Sequence, residues 1–249
     1  MSSDKNDLSA KVLPDIRSNL SKKEQVAEMF NNIAGKYDFL NHFLSLGIDK
    51  SWRKKAIAEV AKAHPQTILD VATGTGDLAI AAMSVKPQQI TGVDIAEQML
   101  EAGRKKIAAL NLSSTIKLQY GDSEALPFAP DTFDVVMCAY GVRNFGNLEA
   151  GLRDMHRVLK PGGKAVILEF SQPQKFPVKQ FYRFYFRNIL PVLGKIVSRH
   201  SAAYTYLPES VMAFPQGKDF CEILERCGFK GVGLKRLTFG ITTLYTGVK

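Results

Sequence analysis

The residues most clearly able to do chemistry form a glycine loop, Asp70-Val71-Ala72-Thr73-Gly74-Thr75-Gly76-Asp77. Glycines let a backbone turn sharply and let a nucleotide-like ligand approach the N–H groups at the start of the next helix. Gly74, Gly76 and Ala79 also match the GxGxxA spacing of dinucleotide-binding loops, a pattern that is weak by itself. The loop therefore predicts a nucleotide-like ligand, with Thr73, Gly74 and Gly76 in its binding segment.

Two further carboxylates stand where they could bind the same ligand. Asp94 lies 20 residues after Gly74, at the end of a predicted strand, where a carboxylate accepts hydrogen bonds from both ribose hydroxyls. Asp122, in Gly121-Asp122-Ser123 after the next strand, is placed to bind an adenine amino group with help from the backbone of Ser123. The alternative for either carboxylate is a turn or capping role.

The charge of the loop bears on the kind of ligand. Three acidic residues surround it, Asp70, Asp77 and Asp94, and the loop itself contains no Lys or Arg. A negative field favours a cationic ligand over an anionic one. A nicotinamide dehydrogenase, the alternative, would place its pyrophosphate against this field.

These residues need a parallel sheet to bring them together, and the pattern around them predicts one. Short β-branched runs alternate with helical stretches, which is typical of βαβ units. The predicted strands are TILDVA, QITGVDI, TIKLQYG, FDVVMCAY and KAVILEFS. Two or three helices precede them between Lys23 and about Ala63. The last two runs, VGLKRLTFG and ITTLYTGVK, leave no room for a crossover helix and must pair antiparallel.

This layout resembles the class I S-adenosylmethionine-dependent methyltransferases, whose sheet has the same antiparallel last hairpin. The resemblance implies an α/β fold with a Rossmann-like, mostly parallel seven-stranded sheet and S-adenosylmethionine as cofactor. It also places Asp70 near the cationic methionine end of the cofactor, where a carboxylate suits the sulfonium, and Tyr140 among the cofactor-binding residues.

Three longer segments indicate which group of these methyltransferases the chain resembles. They are Tyr37-Asp38-Phe39-Leu40-Asn41 with Ser45, Gly47 and Trp52-Arg53; Gly141-Val142-Arg143-Asn144; and Arg157 to Gly163 continuing to Glu169-Phe170-Ser171. Together they look like the quinone-pathway C-methyltransferases of menaquinone and ubiquinone biosynthesis, from about Gln25 to the C-terminus. Leu40 stands where that family usually has Met. Asp49 stands where it usually has His, so a role of that histidine is not carried over unchanged.

The resemblance implies a polyprenylated quinol as substrate, demethylmenaquinol first and a ubiquinone-precursor benzoquinol as the alternative. Methylating a ring carbon requires a phenolic hydroxyl to lose its proton, and the site must then stabilise the phenolate. Arg143 is our candidate for that task, Asn144 for orienting a water or hydroxyl, and Tyr37 for contacting the ring oxygen or the cofactor. The alternatives are lid packing for Tyr37, a surface ion pair for Arg143, and His42 as general base or as a structural residue. No metal-ligand cluster is visible.

Composition limits the class of protein. The chain has 249 residues, 45% of them apolar, and a net charge of +9. Residues 23–249 are expected to form one domain after a flexible arm, residues 1–22, with residues 23–64 as a helical lid. No signal peptide or spanning segment is recognised, so a cytoplasmic protein is expected. Cys138, Cys221 and Cys227 suit neither a disulfide set nor a metal pair and are expected to be reduced.

One segment carries most of the net positive charge. Residues 172–200 contain six cations and no acid, namely Lys175, Lys179, Arg183, Arg187, Lys195 and Arg199. Aromatic and apolar residues lie between them, a composition typical of a helix at an anionic membrane surface. We expect an inserted helical segment, residues 172–216, that contacts substrate and membrane through residues 175–199. The alternatives are an ordinary solvated helix and an RNA-binding surface; no nucleic-acid partner is expected, and the oligomeric state stays open.

Overall fold

The structure is a computed structural model and describes residues 12–38, 45, 47–185, 188 and 202–249. Within these residues one seven-stranded sheet organises the molecule, in the order β3-β2-β1-β4-β5-β7-β6. The strands are β1 (Thr67–Val71), β2 (Gln89–Asp94), β3 (Ile116–Tyr120), β4 (Phe133–Ala139), β5 (Leu159–Phe170), β6 (Lys230–Leu237) and β7 (Thr242–Val248). Strands β1 to β5 run parallel, and β7 is antiparallel to both of its neighbours. The predicted fold class, including the C-terminal hairpin, is confirmed.

Helices surround the sheet. They are α1 (Lys22–Ile33), α2 (Ile48–Ala61), α3 (Asp77–Ala82), α4 (Glu97–Ala109), α5 (Leu148–Val158), α6 (Val178–Phe184), α7 (Ala202–Ala213) and α8 (Lys218–Arg226). Helix α1 begins in a capping box, in which Ser21 and Glu24 each satisfy a backbone N–H of the other. Short 3₁₀ turns cover Ala34–Lys36, after α1, and Val142–Asn144, after β4.

Two hydrophobic layers cover the two faces of the sheet. Alternate residues of each central strand point to opposite faces, so Ile68 and Val135 belong to one layer and Leu69 and Val136 to the other. The first layer packs against α2, α3 and α4, and the second against α5 and α8. Burial on both faces explains why the strands are apolar runs without a polar alternation. The arrangement puts the carboxyl ends of β1, β2, β3 and β4 at one edge.

The boundaries differ from the sequence pattern at one place. We expected Lys160-Pro161-Gly162-Gly163 to separate a helix from a strand, but β5 already begins at Leu159. Leu159 pairs with Phe133, and the register then shifts so that Val135 pairs with Lys164. Gly162 adopts φ +77° within this irregularity, which a residue with a Cβ adopts only with strain.

All three cysteines are free thiols, and Cys138 and Cys227 are buried, as expected. No helix within the described ranges is long and apolar enough to cross a membrane. Several sequence predictions concern residues outside those ranges. They are residues 1–11 of the arm, Leu40, His42, Arg187, Lys195 and Arg199.

Candidate active site

The loop between β1 and α3 takes the two sharp turns that its glycines predict. Gly74 has φ +56° and Gly76 has φ +79°, both in the left-handed region. A Cβ on Gly74 would lie 3.3 Å from Met99 Cε, whereas one on Gly76 would meet Ile107 and Leu118 in the core. Gly74 therefore lies close to the side chains of Met99 and Tyr37, and Gly76 lets the loop pack against α4.

Asp94 ends β2 beside this loop. Its Oδ2 accepts a hydrogen bond from the Gly74 N–H at 2.8 Å, and its Oδ1 accepts one from the Ala96 N–H at 2.9 Å. Burial raises the pKa of Asp94, and these backbone donors oppose the rise. The two donors fix the carboxylate plane across the loop, and each oxygen keeps a lone pair for a ligand.

Asp70 lies underneath the loop at the end of β1. Its carboxylate is 1% exposed, and the Thr73 hydroxyl donates to its Oδ2 at 2.7 Å. Burial raises the pKa of Asp70 to about 7, Thr73 opposes the rise, and the charges of Asp94 and Asp77 add to it. A buried carboxylate without a cationic partner is a group that a positive ligand would stabilise in its ionised form.

A cavity that is partly open to solvent lies over the loop. Seven predicted site residues line it: Tyr37, Gly74, Asp94, Asp122, Ser123, Tyr140 and Asn144. The other four lie next to it without being among its lining residues: Asp70, Thr73, Gly76 and Arg143.

Helix α1 closes one side of the cavity through an ion pair that the sequence analysis missed. Lys23 Nζ lies 2.5 Å from Asp122 Oδ2 and 3.6 Å from Glu124 Oε2. The hydrogen bond to Asp122 raises the pKa of Lys23, although burial opposes it. The carboxylate predicted to bind an adenine amino group thus also holds the N-terminal helix.

The third acid of the loop, Asp77, is paired with two cations. Arg53 on α2 lies 3.0 Å from Asp77 Oδ2, and Lys106 Nζ on α4 lies 2.6 Å from Asp77 Oδ1. Lys106 also donates to Asp38 Oδ2 at 2.7 Å and to the Thr75 hydroxyl at 3.1 Å. Of the three acids around the loop, Asp77 is thus neutralised by cations. Asp70 and Asp94 form no ion pair with a described residue, so they supply the remaining negative charge at the loop.

Asp49, which stands where the resembled family usually has His, is also part of this network. It is buried, accepts a hydrogen bond from the Ser45 hydroxyl at 2.7 Å, and forms an ion pair with Arg53. Asp49 therefore holds Arg53, which in turn contacts Asp77.

The end of β4 brings the candidate catalytic residues together. Tyr140 has φ +60°, an uncommon value for a non-glycine residue, and its ring stacks on Phe170 at 4.3 Å. Its carbonyl accepts hydrogen bonds from Arg143 Nη1 at 2.5 Å and from Asn144 Nδ2 at 3.3 Å. This turned backbone directs Arg143 and Asn144 toward the same carbonyl at the cavity edge.

Arg143 is not on the surface. Its Nη1 donates to Glu169 Oε1 at 2.8 Å, and the guanidinium lies 5.5 Å from the centre of the Phe170 ring. Burial raises the pKa of Glu169, and Arg143 and two backbone N–H groups oppose the rise. Arg143 Nε and Asn144 Oδ1 are both buried and have no hydrogen-bond partner among the described residues. Asn144 lines the cavity and Arg143 is its neighbour in the chain, so both of these atoms lie near the cavity.

Comparison with known proteins identifies the chain. The model of the ubiE/COQ5 methyltransferase family matches residues 18–249. The chain belongs to the ubiE/COQ5 methyltransferase family. The demethylmenaquinone methyltransferase of Bacteroides fragilis is 50% identical over 92% of this chain and 94% of its own. The ubiquinone/menaquinone biosynthesis C-methyltransferase UbiE of Geotalea daltonii is 47% identical over 92% of this chain and 97% of its own.

Solved structures share the fold at low sequence identity. The [4+2]-cyclase SpnF superposes with a TM-score of 0.65 at 14% identity, covering 91% of this chain and 96% of that chain. A cyclase on the same scaffold illustrates that fold alone does not determine the reaction. Membership of the ubiE/COQ5 family makes this chain an S-adenosylmethionine-dependent methyltransferase.

The residues present suit that cofactor. Three carboxylates line the cavity, those of Asp94, Asp122 and Glu124, and the cation Lys23 lines it beside them. Asp70, buried next to them, has a raised pKa, and a sulfonium or ammonium group would favour its ionised form. Gly74 lines this cavity, and a Cβ at that position would lie 3.3 Å from Met99 Cε.

Proposed function

We propose that this ubiE/COQ5 family member methylates a ring carbon of demethylmenaquinol to give menaquinol. The substrate rests on the name of the Bacteroides fragilis relative, which is 50% identical and nearly equal in length. The chemistry rests on one observation: Arg143 Nε and Asn144 Oδ1 are buried near the cofactor cavity and have no hydrogen-bond partner among the residues that the structure describes. A benzoquinol precursor of ubiquinone is the second candidate, because the Geotalea daltonii relative carries both quinones in its name.

S-adenosylmethionine, when bound, supplies an electrophilic methyl group on sulfur. Asp94 would accept the ribose hydroxyls, Asp122 and the Ser123 backbone would bind the adenine, and Asp70 with Thr73 would lie toward the cationic end. Gly74 would let the backbone approach, with Gly76 holding the turn behind it. Tyr140 forms the wall between the cofactor and the quinol in this proposal.

The chain's remaining task is to favour the phenolate of the quinol. Loss of the hydroxyl proton to water would place negative charge on the oxygen and on the adjacent ring carbon. That carbon would take the methyl group as the sulfur–methyl bond breaks and S-adenosylhomocysteine leaves, and the ring carbon would then lose its own proton to water. Arg143 keeps its charge because Glu169 is its buried counter-ion, so it can stabilise the phenolate oxygen. Asn144 Oδ1 accepts a hydrogen bond from the hydroxyl or from a water, and Tyr37 covers the cavity from the lid.

Methyl transfer from labelled cofactor tests the proposal. The protein is incubated with a short-chain demethylated naphthoquinol, a demethylated benzoquinol or bulk RNA, under reducing conditions. We expect label on a carbon of the naphthoquinol, with turnover faster than for the benzoquinol. Preference for the benzoquinol would select the second candidate, and label only in RNA would overturn both.

We also propose that the substrate is reached at an anionic membrane surface through residues 175–199. Three aromatic side chains near the described start of this segment are exposed, Phe176 at 80%, Phe181 at 72% and Phe184 at 59%. Lys175 and Lys179 lie in the same stretch. Exposed aromatics beside cations suit a lipid headgroup region. A polyprenyl quinol resides in the bilayer, so this contact would place the site near its substrate.

Vesicle co-sedimentation tests this contact. We expect binding to vesicles with anionic lipid, little binding to neutral vesicles, and loss of binding at high salt. Lys175→Glu/Lys179→Glu should bind several-fold more weakly. Lys86→Glu/Lys105→Glu changes the net charge equally at two other exposed lysines and should bind like the parent protein. Equal binding by the two variants would contradict the proposal.

A further inference from the structure

The hydroxyl of Tyr206 on α7 is buried and has no hydrogen-bond partner within the described part of the chain. The side chain is 2% exposed, and it packs in a cluster with Val26 and Met29 of α1. Its hydroxyl forms no hydrogen bond with any described residue. Buried tyrosines usually satisfy this group, because leaving it unpaired costs free energy.

Tyr245 shows how the same fold treats a structural tyrosine. It is 1% exposed, and its hydroxyl accepts a hydrogen bond from the Gly217 N–H at 2.9 Å. Phenylalanine at position 206 would fill the same space without an unsatisfied hydroxyl. Packing therefore accounts for the ring of Tyr206 but not for its oxygen.

The surroundings of Tyr206 connect it to the active site. Its cluster includes Phe30 and Ile95, which line the cofactor cavity. Burial raises the pKa of Tyr206 to about 12, and the next contributions come from the charges of Arg143, which lowers it, and Glu169, which raises it. The hydroxyl therefore lies within electrostatic reach of the buried ion pair and stays neutral at physiological pH.

Among the buried polar atoms that have no hydrogen-bond partner in the described part of the chain, Arg143 Nε and Asn144 Oδ1 lie on one segment and the Tyr206 hydroxyl lies on another. Orphaned groups that share one region indicate a polar ligand that completes them. A quinol carries two hydroxyls on opposite sides of its ring, so it needs polar contacts in two places.

We propose that Tyr206 is a specificity-determining residue, whose hydroxyl hydrogen-bonds the quinol oxygen opposite the one held by Arg143 and Asn144. The inference rests on the proposed function. The oxygen beside the reacting carbon becomes the phenolate, while the opposite hydroxyl remains protonated and can donate to or accept from Tyr206. A site that hydrogen-bonds a substrate hydroxyl discriminates against an analogue without it, because its own polar group is then left unpaired.

The test compares two substrates in two variants. One substrate is the short-chain demethylated naphthoquinol, and the other is its analogue with a single hydroxyl, beside the reacting carbon. We expect Tyr206→Phe to lower kcat/KM for the quinol about tenfold, the size of one hydrogen bond. It should change kcat/KM for the single-hydroxyl analogue less than twofold, with unchanged cofactor Kd and an unchanged or higher Tm.

Tyr245→Phe is the matched control. It removes a satisfied hydroxyl and should lower Tm while leaving the ratio of kcat/KM between the two substrates unchanged. The inference is overturned if Tyr206→Phe changes neither substrate, or if it slows both equally, as a purely structural residue would. If the parent protein methylates neither a naphthoquinol nor a benzoquinol, the proposed function fails and this inference fails with it.

Discussion

Arg143 Nη1 donates to Glu169 Oε1 over 2.8 Å, and the two side chains are 7% and 0% exposed. Removing one member of a buried ion pair leaves an uncompensated charge in the interior. We expect Glu169→Gln to lower the free energy of unfolding by about 3 kcal/mol in urea denaturation. Glu149→Gln, which loses partly exposed pairs with Arg153 and Arg226, should cost less than about 1 kcal/mol. Equal losses in the two variants would mean that the buried pair contributes no more than a surface pair.

A variant in which both members of this ion pair are replaced by neutral residues separates their effect on stability from their effect on turnover. Arg143→Gln/Glu169→Gln removes both charges and should recover much of the stability lost in Glu169→Gln. Its turnover should stay at least a hundredfold below that of the parent protein, since no cation faces the phenolate. Cofactor binding, measured by calorimetry, should change little. Recovered turnover would remove Arg143 from the proposed mechanism.

Gly74→Ala should weaken cofactor binding. The substitution strains a residue at φ +56° and places a Cβ 3.3 Å from Met99 Cε, over the loop. Gly162→Ala introduces comparable strain at φ +77° in open space away from the cavity. Both variants should lose about 1 kcal/mol of stability. Only Gly74→Ala should raise the cofactor Kd, by about tenfold or more, and a similar rise in Gly162→Ala would assign the effect to strain alone.

Sequence patterns predicted the sheet and its edge because they depend on local spacing. Parallel strands place Asp70, Asp94 and Asp122 at one edge, and the structure has them there. The pairing of Arg143 with Glu169 was not predicted, because the partners come from different strand ends and their meeting depends on the strand order. Tyr206 was missed for a related reason. The sequence analysis singled out the inserted segment, residues 172–216, for its cations, and residue spacing does not show whether a hydroxyl will find a hydrogen-bond partner.

The stability of the protein should fall as the pH rises from about 4 to 7, in part through Asp70. Its pKa is about 7 in the folded protein against an ordinary value near 3.8, so the folded state binds the extra proton in this range. The group should cost up to about 4 kcal/mol above pH 7 relative to pH 4. Asp70→Asn should remove this part of the decline in urea unfolding at a series of pH values. An unchanged pH dependence would show that Asp70 is ionised with an ordinary pKa.

Asp134 should make the protein more stable as the pH rises, which is opposite to the effect of Asp70. Burial opposes its ionisation, but Lys160 and the N–H groups of Thr67 and Gln66 outweigh burial and lower its pKa to about 2. The folded protein therefore gains stability from this carboxylate above pH 4 and loses it as the pH falls toward 2. Asp134→Asn should be less stable than the parent at pH 7, with the difference closing in acid. A difference that is constant with pH would contradict the lowered pKa.

Lys106→Met should make the glycine loop more mobile and weaken cofactor binding. Lys106 joins Asp38 after α1, Thr75 in the glycine loop and Asp77 on α3. We expect faster hydrogen exchange in residues 73–77 and a several-fold higher cofactor Kd. Lys105→Met removes an exposed neighbour whose ion pair with Glu101 spans 3.6 Å, and it should leave both measurements unchanged. Identical exchange in the two variants would mean that the loop holds its shape without the cross-link.

The position of β7 sets the order in which this protein can be completed during synthesis. β7 lies between β5 and β6, so β6 leaves the ribosome before the strand that attaches it to the sheet exists. Helix α2, made much earlier, donates from Trp52 Nε1 to the Thr238 hydroxyl at 2.7 Å, just before β7. Until then the edge of β5 that pairs with β7 remains unpaired. A nascent chain that stalls after residue 240 therefore presents an open strand edge to chaperones and to other chains.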